Sequence, residues 1–182
     1  VHLKAGTPDP PWTDNVASRA ADWAAVRAWR KDQRERLLIR RMSLSSRHKN
    51  RVSHRIVEIL RRQVALPDGA RLGFYWPLNG EIDLRSLIRD LLSRGAKAAL
   101  PVIINKDQPL EFWEWDPNKR LYNRGLGSIP APKVRKHVRL SDLLIPLLGF
   151  DGHGHRLGHD NGYYDRTLAT IRPKPLTIGI GY

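Results

Sequence analysis

The stretch Phe150-Asp151-Gly152-His153-Gly154-His155-Arg156-Leu157-Gly158-His159-Asp160-Asn161-Gly162-Tyr163-Tyr164-Asp165-Arg166 decides the fold of this chain. An apolar run, Leu143 to Leu148, precedes it and reads as a buried strand. Tyr163 to Ile171 reads as a helix. The stretch is therefore a glycine-rich loop between the carboxyl end of a strand and the amino end of a helix. Open α/β sheets bind ligands at such places, and helix N-termini attract anions. Gly158 and Gly162 let the backbone approach a ligand closely. Arg156 offers a fork of donors suited to phosphate. Tyr163 and Tyr164 supply a stacking face and a hydroxyl. Asp165 is placed to hold a magnesium ion that bridges phosphates.

Strands and amphipathic helices alternate on the amino side of this loop. Ser18 is a plausible cap for a long helix from about 19 to 42, whose charged middle, Arg30 to Arg36, is expected to stay out of the core. Ser45 or Ser46 caps a second helix with Val52, Ile56, Ile59 and Leu60 on one face. Arg71 to Trp76 reads as a strand. Pro77-Leu78-Asn79-Gly80 is a turn. A helix follows, beginning near Ile82, with Leu84, Leu87, Ile88, Leu91 and Leu92 at helical spacing and Gly95 as its stop. Ala98 to Ile104 and Leu110 to Trp115 are further strands, the second expected to be an antiparallel edge. Residues 117–139 read as a long connection, and Leu176 to Gly181 as the last strand. This order predicts an α/β three-layer sandwich around a mainly parallel central sheet.

The chain has 182 residues, 41% of them hydrophobic, enough for one domain with a real core. That domain is expected at 18–182, after a flexible arm at 1–17 that carries Pro8, Pro10 and Pro11. No apolar run approaches the roughly 18 residues needed to span a membrane, and the start does not resemble a signal peptide. The absence of cysteine excludes disulfides, thiolate metal sites and cysteine nucleophiles, and fits a cytoplasmic protein. The net charge is +14, and residues 1–63 hold much of it. Such an excess favours polyanionic partners, although most of these cations read as solvated helix surface. His153, His155 and His159 are close in sequence, but their i, i+2, i+6 spacing without cysteine does not favour a metal site.

Four segments together resemble the 5-formyltetrahydrofolate cyclo-ligase family, the methenyltetrahydrofolate synthetases. The first is Ile145-Pro146-Leu147-Leu148-Gly149-Phe150-Asp151 with Arg156-Leu157-Gly158 and Gly162-Tyr163-Tyr164-Asp165-Arg166-Thr167-Leu168. The second is Tyr75-Trp76-Pro77-Leu78-Asn79-Gly80-Glu81-Ile82-Asp83-Leu84. The third is Leu100-Pro101-Val102-Ile103 followed by Phe112 and Trp115. The fourth is the pair Arg30 and Arg34 ahead of Leu37-Leu38-Ile39-Arg40-Arg41. The likeness runs from about residue 26 to 182 and implies a cyclo-ligase-like sandwich related to the CoA-transferase-like fold.

The resemblance also implies a reaction: ATP-dependent closure of 5-formyltetrahydrofolate to 5,10-methenyltetrahydrofolate. The γ-phosphoryl group passes to the formyl oxygen, N10 attacks the carbon, and phosphate and ADP are released. Arg30, Arg34 and Arg156 would hold ATP phosphates, with Gly158, Gly162 and Tyr164 completing that site. Asp165 would bind Mg2+. Tyr75, Glu81, Trp115 and Tyr163 would line the folate site, and Arg156 and Glu81 would serve catalysis directly. The partner would be 5-formyltetrahydrofolate, with or without a polyglutamate tail, bound by a monomer that takes neither membrane nor nucleic acid.

Three positions depart from the family pattern. Asp160 stands where the loop usually has glycine, with Asn161 beside it. Ala131, in Ser128-Ile129-Pro130-Ala131-Pro132, replaces a glutamate. The sequence ends at Tyr182, where family members continue with an acidic tail, so that tail is expected to be missing. These departures leave open a paralogue that binds nucleotide or a pterin-like ligand without this activity. The positive charge leaves open an RNA-binding protein, though no recognition motif supports one.

Overall fold

The computed structural model describes residues 19–64, 66–124, 129–159 and 162–182. The expected arm at 1–17, the Ser18 cap, Ser128, Asp160 and Asn161 lie outside the described residues. The elements in order are α1 (Arg19–Ser43), α2 (Ser46–Gln63), β1 (Arg71–Gly73), α3 (Arg85–Ser93), β2 (Lys97–Val102), β3 (Glu111–Trp115), β4 (Tyr122–Arg124), β5 (Ile129–Ala131), β6 (Asp142–Pro146), β7 (Gly149–Phe150), β8 (Arg156–Leu157), α4 (Tyr163–Thr170) and β9 (Leu176–Ile180).

The central sheet has the order β3-β2-β1-β6-β9. All its pairings are parallel except β2 with β3. Side chains alternate between its two faces, as strand geometry requires. Leu72, Phe74, Ala98, Leu100 and Leu144 join a core cluster with Val57 and Leu60 of α2 and Leu87, Ile88 and Leu91 of α3. Ala99, Phe112, Leu143 and Ile145 join a second cluster with Tyr163 and Tyr164 of α4. Helices on both faces of one sheet make the three layers.

Local chemistry sets most of the boundaries. The Ser45 side chain accepts from the His48 N–H at 3.2 Å and caps α2. Gly95 follows α3 with φ +86°, a left-handed stop. α3 begins at Arg85, not near Ile82, because the Asp83 carboxylate accepts from the Arg85 N–H at 2.9 Å and ties down the turn before it. Glu81 therefore lies outside the first turn of α3.

The charged middle of α1 is not wholly outside the core. Val26, Gln33 and Arg41 are buried, and Trp29 and Leu37 half-buried, all on one helical face. Residues 117–139 are more than a connection. They contain the β4–β5 hairpin, and Lys136 and Val138 bond to Glu114 and Phe112 along the outer side of β3. That segment covers an edge strand that would otherwise expose its ladder groups.

The sheet packs tightly around Gly73. A Cβ there would stand 2.7 Å from side-chain carbons of both Leu140 and Leu143. Gly73→Ala is expected to destabilise the fold by about 1–3 kcal/mol through overpacking. Urea unfolding at constant m-value measures this; an unchanged midpoint would show that the two leucines yield freely.

Candidate active site

In the strand order, β1 and β6 are neighbours, yet the chain leaves β1 for β2 on one side and returns to β6 on the other. This is a topological switch point, and the carboxyl ends of the two strands bound a crevice there. The loop after β1 carries Tyr75, Asn79, Gly80 and Glu81. The loop after β6 carries the β7–β8 hairpin, Gly158 and His159. α1 supplies the arginines that meet both.

The glycine loop is gripped from α1 at two consecutive residues. Arg34 donates through Nε to the Gly158 carbonyl at 2.8 Å. Arg41 Nη2 lies 2.9 Å from His159 Nε2. Arg30 is exposed, one turn along α1 from Arg34. The loop then enters α4 through Gly162, whose φ of +81° suits a residue without a Cβ. Gly162 as N-cap offers α4 no side-chain bond, and the first-turn amides of a helix are potential anion donors.

Arg156 and Asp165 form a short pair at the mouth of α4, 2.7 Å apart. The Arg156 guanidinium also lies 5.6 Å from the centre of the Tyr164 ring. Arg166 stacks over Tyr163 at 4.7 Å. Tyr163 and Tyr164 are themselves buried in the second core cluster, which fixes α4 against the sheet.

The β1–α3 loop is held from inside. Tyr75 donates its hydroxyl to the Ile82 carbonyl at 2.9 Å, and burial raises its phenol well above the ordinary range, keeping it a neutral donor. Tyr182 donates to the Gly80 carbonyl at 3.0 Å. Glu81 accepts from the Leu78 N–H at 3.0 Å. Its other oxygen is 4.0 Å from Arg41 Nη1, with side-chain exposures of 12% and 6%. Burial raises the Glu81 carboxyl above its usual value, against the opposing pull of Leu78 and Arg41. Burial likewise lowers Arg41, with Glu81 resisting.

The structure thus brings Tyr75, Glu81, Arg34, Gly158 and Gly162 to one edge of the sheet, with Arg156, Tyr163, Tyr164 and Asp165 at the adjoining helix end. It does not bring Trp115 there. Trp115 pairs with Ala98 at the start of β2, the amino end of the parallel strands. Its ring is a core element, 5.2 Å from Phe74 and 6.3 Å from Trp76, and it lines a separate cleft with Lys119, Arg120 and Lys133. Arg41 is the residue that sequence reasoning missed. It shares the α1 face of Val26, Trp29, Gln33 and Leu37, and a cation in line with that face was the available signal. The described residues contain no cluster of three or more metal-ligating side chains.

Comparison with known proteins bears on the fold and the family. The model of the 5-formyltetrahydrofolate cyclo-ligase family matches residues 26–181. The chain belongs to this family. A 5-formyltetrahydrofolate cyclo-ligase of Haemophilus influenzae is 28% identical over 61% of this chain and 63% of its own length. One of Escherichia coli is 38% identical over 50% of this chain and 52% of its own. The chain thus spans less than two thirds of these two relatives. The structure of Aquifex aeolicus 5,10-methenyltetrahydrofolate synthetase superposes with a TM-score of 0.69 at 25% identity, covering 84% of this chain and 77% of that one.

The raised Glu81 carboxyl has a definite stability signature. Its folded-state pKa lies above the ordinary 4.5, so the folded state binds this proton more tightly than the unfolded state. Its contribution to stability is greatest below the unfolded value and is lost as pH rises through the folded one. Arg41→Met removes the nearby cation and is expected to raise the Glu81 pKa further. Carbon-detected NMR titration of the side-chain carboxyl measures it; a downward shift would refute the assigned electrostatics.

Proposed function

We propose that the protein closes 5-formyltetrahydrofolate to 5,10-methenyltetrahydrofolate at the expense of ATP, releasing ADP and phosphate. The observation that carries this reading is the meeting of two loops at the β1–β6 switch point. One presents the buried carboxyl of Glu81, and the other is a glycine loop held by arginines from α1.

The phosphate side is built for a polyanion. Arg156 lies at the amino end of α4, where helix amides favour anions, and Arg34 fixes the loop backbone at Gly158. Preformed cations of this kind stabilise charge that moves between oxygens in phosphoryl transfer. Arg30, exposed one turn away, completes the basic track. The Tyr164 ring lies 5.6 Å from the Arg156 guanidinium, within cation–π reach. Magnesium fits here through Asp165, because this ion commonly takes one or two carboxylates together with phosphate oxygens. When bound it would neutralise phosphate charge. Asp165 would then exchange its bond to Arg156, leaving that fork for phosphate.

The folate side is the β1–α3 loop. Glu81, a buried carboxyl, orients the donors of a pterin ring. Tyr75 sets the loop from below through Ile82, and Tyr163 closes the wall from α4. Trp115 takes no part. The reading places a monomer in the cytoplasm, with polyglutamate tails running toward the basic surface of α1 and α2. No helix among the described residues is long and apolar enough to cross a membrane.

The test is an absorbance assay for the methenyl product with ATP, Mg2+ and 5-formyltetrahydrofolate. Product formation dependent on all three is expected. ATP binding without product would refute the reaction and indicate a paralogue. Arg156→Ala is expected to raise the KM for ATP roughly 10- to 100-fold, since charge-assisted bonds contribute about 1.5–3 kcal/mol. An unchanged KM would remove Arg156 from the phosphate site.

A further inference from the structure

Arg41 is the buried cation of the described chain, 5% exposed, and nothing in a generic α/β sandwich calls for it. Taking a guanidinium out of water is costly unless its donors are met. Here each part of the fork has a different partner. Nε donates to the Asn79 carbonyl at 3.0 Å. Nη2 meets His159 at 2.9 Å, and Nη1 faces Glu81 at 4.0 Å. Two of these partners belong to the β1–α3 loop and one to the glycine loop. The two loops leave neighbouring strands and share no ladder hydrogen bond of the sheet. One rigid, planar group therefore spans the crevice and ties its sides together.

We propose that Arg41 is a positioning residue that couples the two halves of the site, so that order in the glycine loop sets the Glu81 carboxylate and the reverse. The inference deepens the cyclo-ligase reading and rests on it for the names of the two ligands. Its physical core does not, because the three contacts exist without either ligand. Arg34 serves as the internal contrast. It lies two turns away on the same helix but holds only the glycine loop, through Gly158. A lysine at 41 keeps the charge yet ends in one nitrogen, and cannot meet three partners in three directions.

The coupling is testable in the full chain by hydrogen–deuterium exchange without ligands. In Arg41→Lys, residues 78–82 and residues 156–159 are both expected to exchange about tenfold faster, with the sheet unchanged. In Arg34→Lys, acceleration is expected at 156–159 alone. If Arg41→Lys loosens only one segment, or neither, the proposal is wrong. Where that variant does not fold, His159→Ala replaces it. Removing one arm of the fork is expected to loosen 78–82 as well, and a change confined to 156–159 overturns the coupling.

A calorimetric arm uses a non-hydrolysable ATP analogue and 5-formyltetrahydrofolate, each titrated with and without the other. Each is expected to raise the other's affinity about tenfold in the natural chain, and much less in Arg41→Lys. An equal factor in both proteins counts against Arg41. If neither ligand binds the natural chain, the functional reading fails, while the exchange result still decides the coupling.

Discussion

The architecture depends on a strand that is dry on both faces. Leu143, Leu144 and Ile145 of β6 have no exposed surface. Because successive residues face opposite ways, a run with no polar member cannot sit on a one-sided sheet. It needs helices above and below, and that demand recruits α2 and α3 to one side and α4 to the other. It also fixes where chemistry happens. With both faces sealed, the ends of the strands are the open ground, and the crossover between β1 and β6 opens a crevice at one of them.

The apolar run of β6 and the glycine loop behind it were legible in the sequence for the same reason. Both are local patterns whose physics acts within a few residues. The helical spacing of Leu84, Leu87, Ile88 and Leu91 belongs to this class, as does the Ser45 cap. What escaped was information held between segments. Arg41 reads as one more cation in a basic helix until the β1–α3 loop is folded against it. Trp115 reads equally well as ligand wall or as core, and strand register alone separates the two. The cover over β3 by residues 136–138 follows from a path through space that no spacing rule encodes.

The pairing of Arg41 with Glu81 sets stability against use. Burial pushes the two groups in opposite directions, each toward its neutral form, while their mutual attraction resists. A hydrophobic pair of similar volume would cost less. Fixed polar groups of this kind serve a binding site, because they need little rearrangement when a ligand arrives.

The turn at Asp151 bears on how the glycine loop can move. Its carboxylate accepts from the N–H groups of His153 and His155, and its ring partner His155 holds the pKa near about 2. His155 is thus tied to the turn through both its backbone and its ring, and His153 through its backbone. The β7–β8 hairpin is closed at its base by the Leu148 N–H donating to the Leu157 carbonyl at 2.8 Å, one residue after Leu147 bonds to Ile180 of β9. A fixed path therefore runs from β9 through the base of the hairpin to Gly158, where the Arg34 side chain takes hold of the backbone.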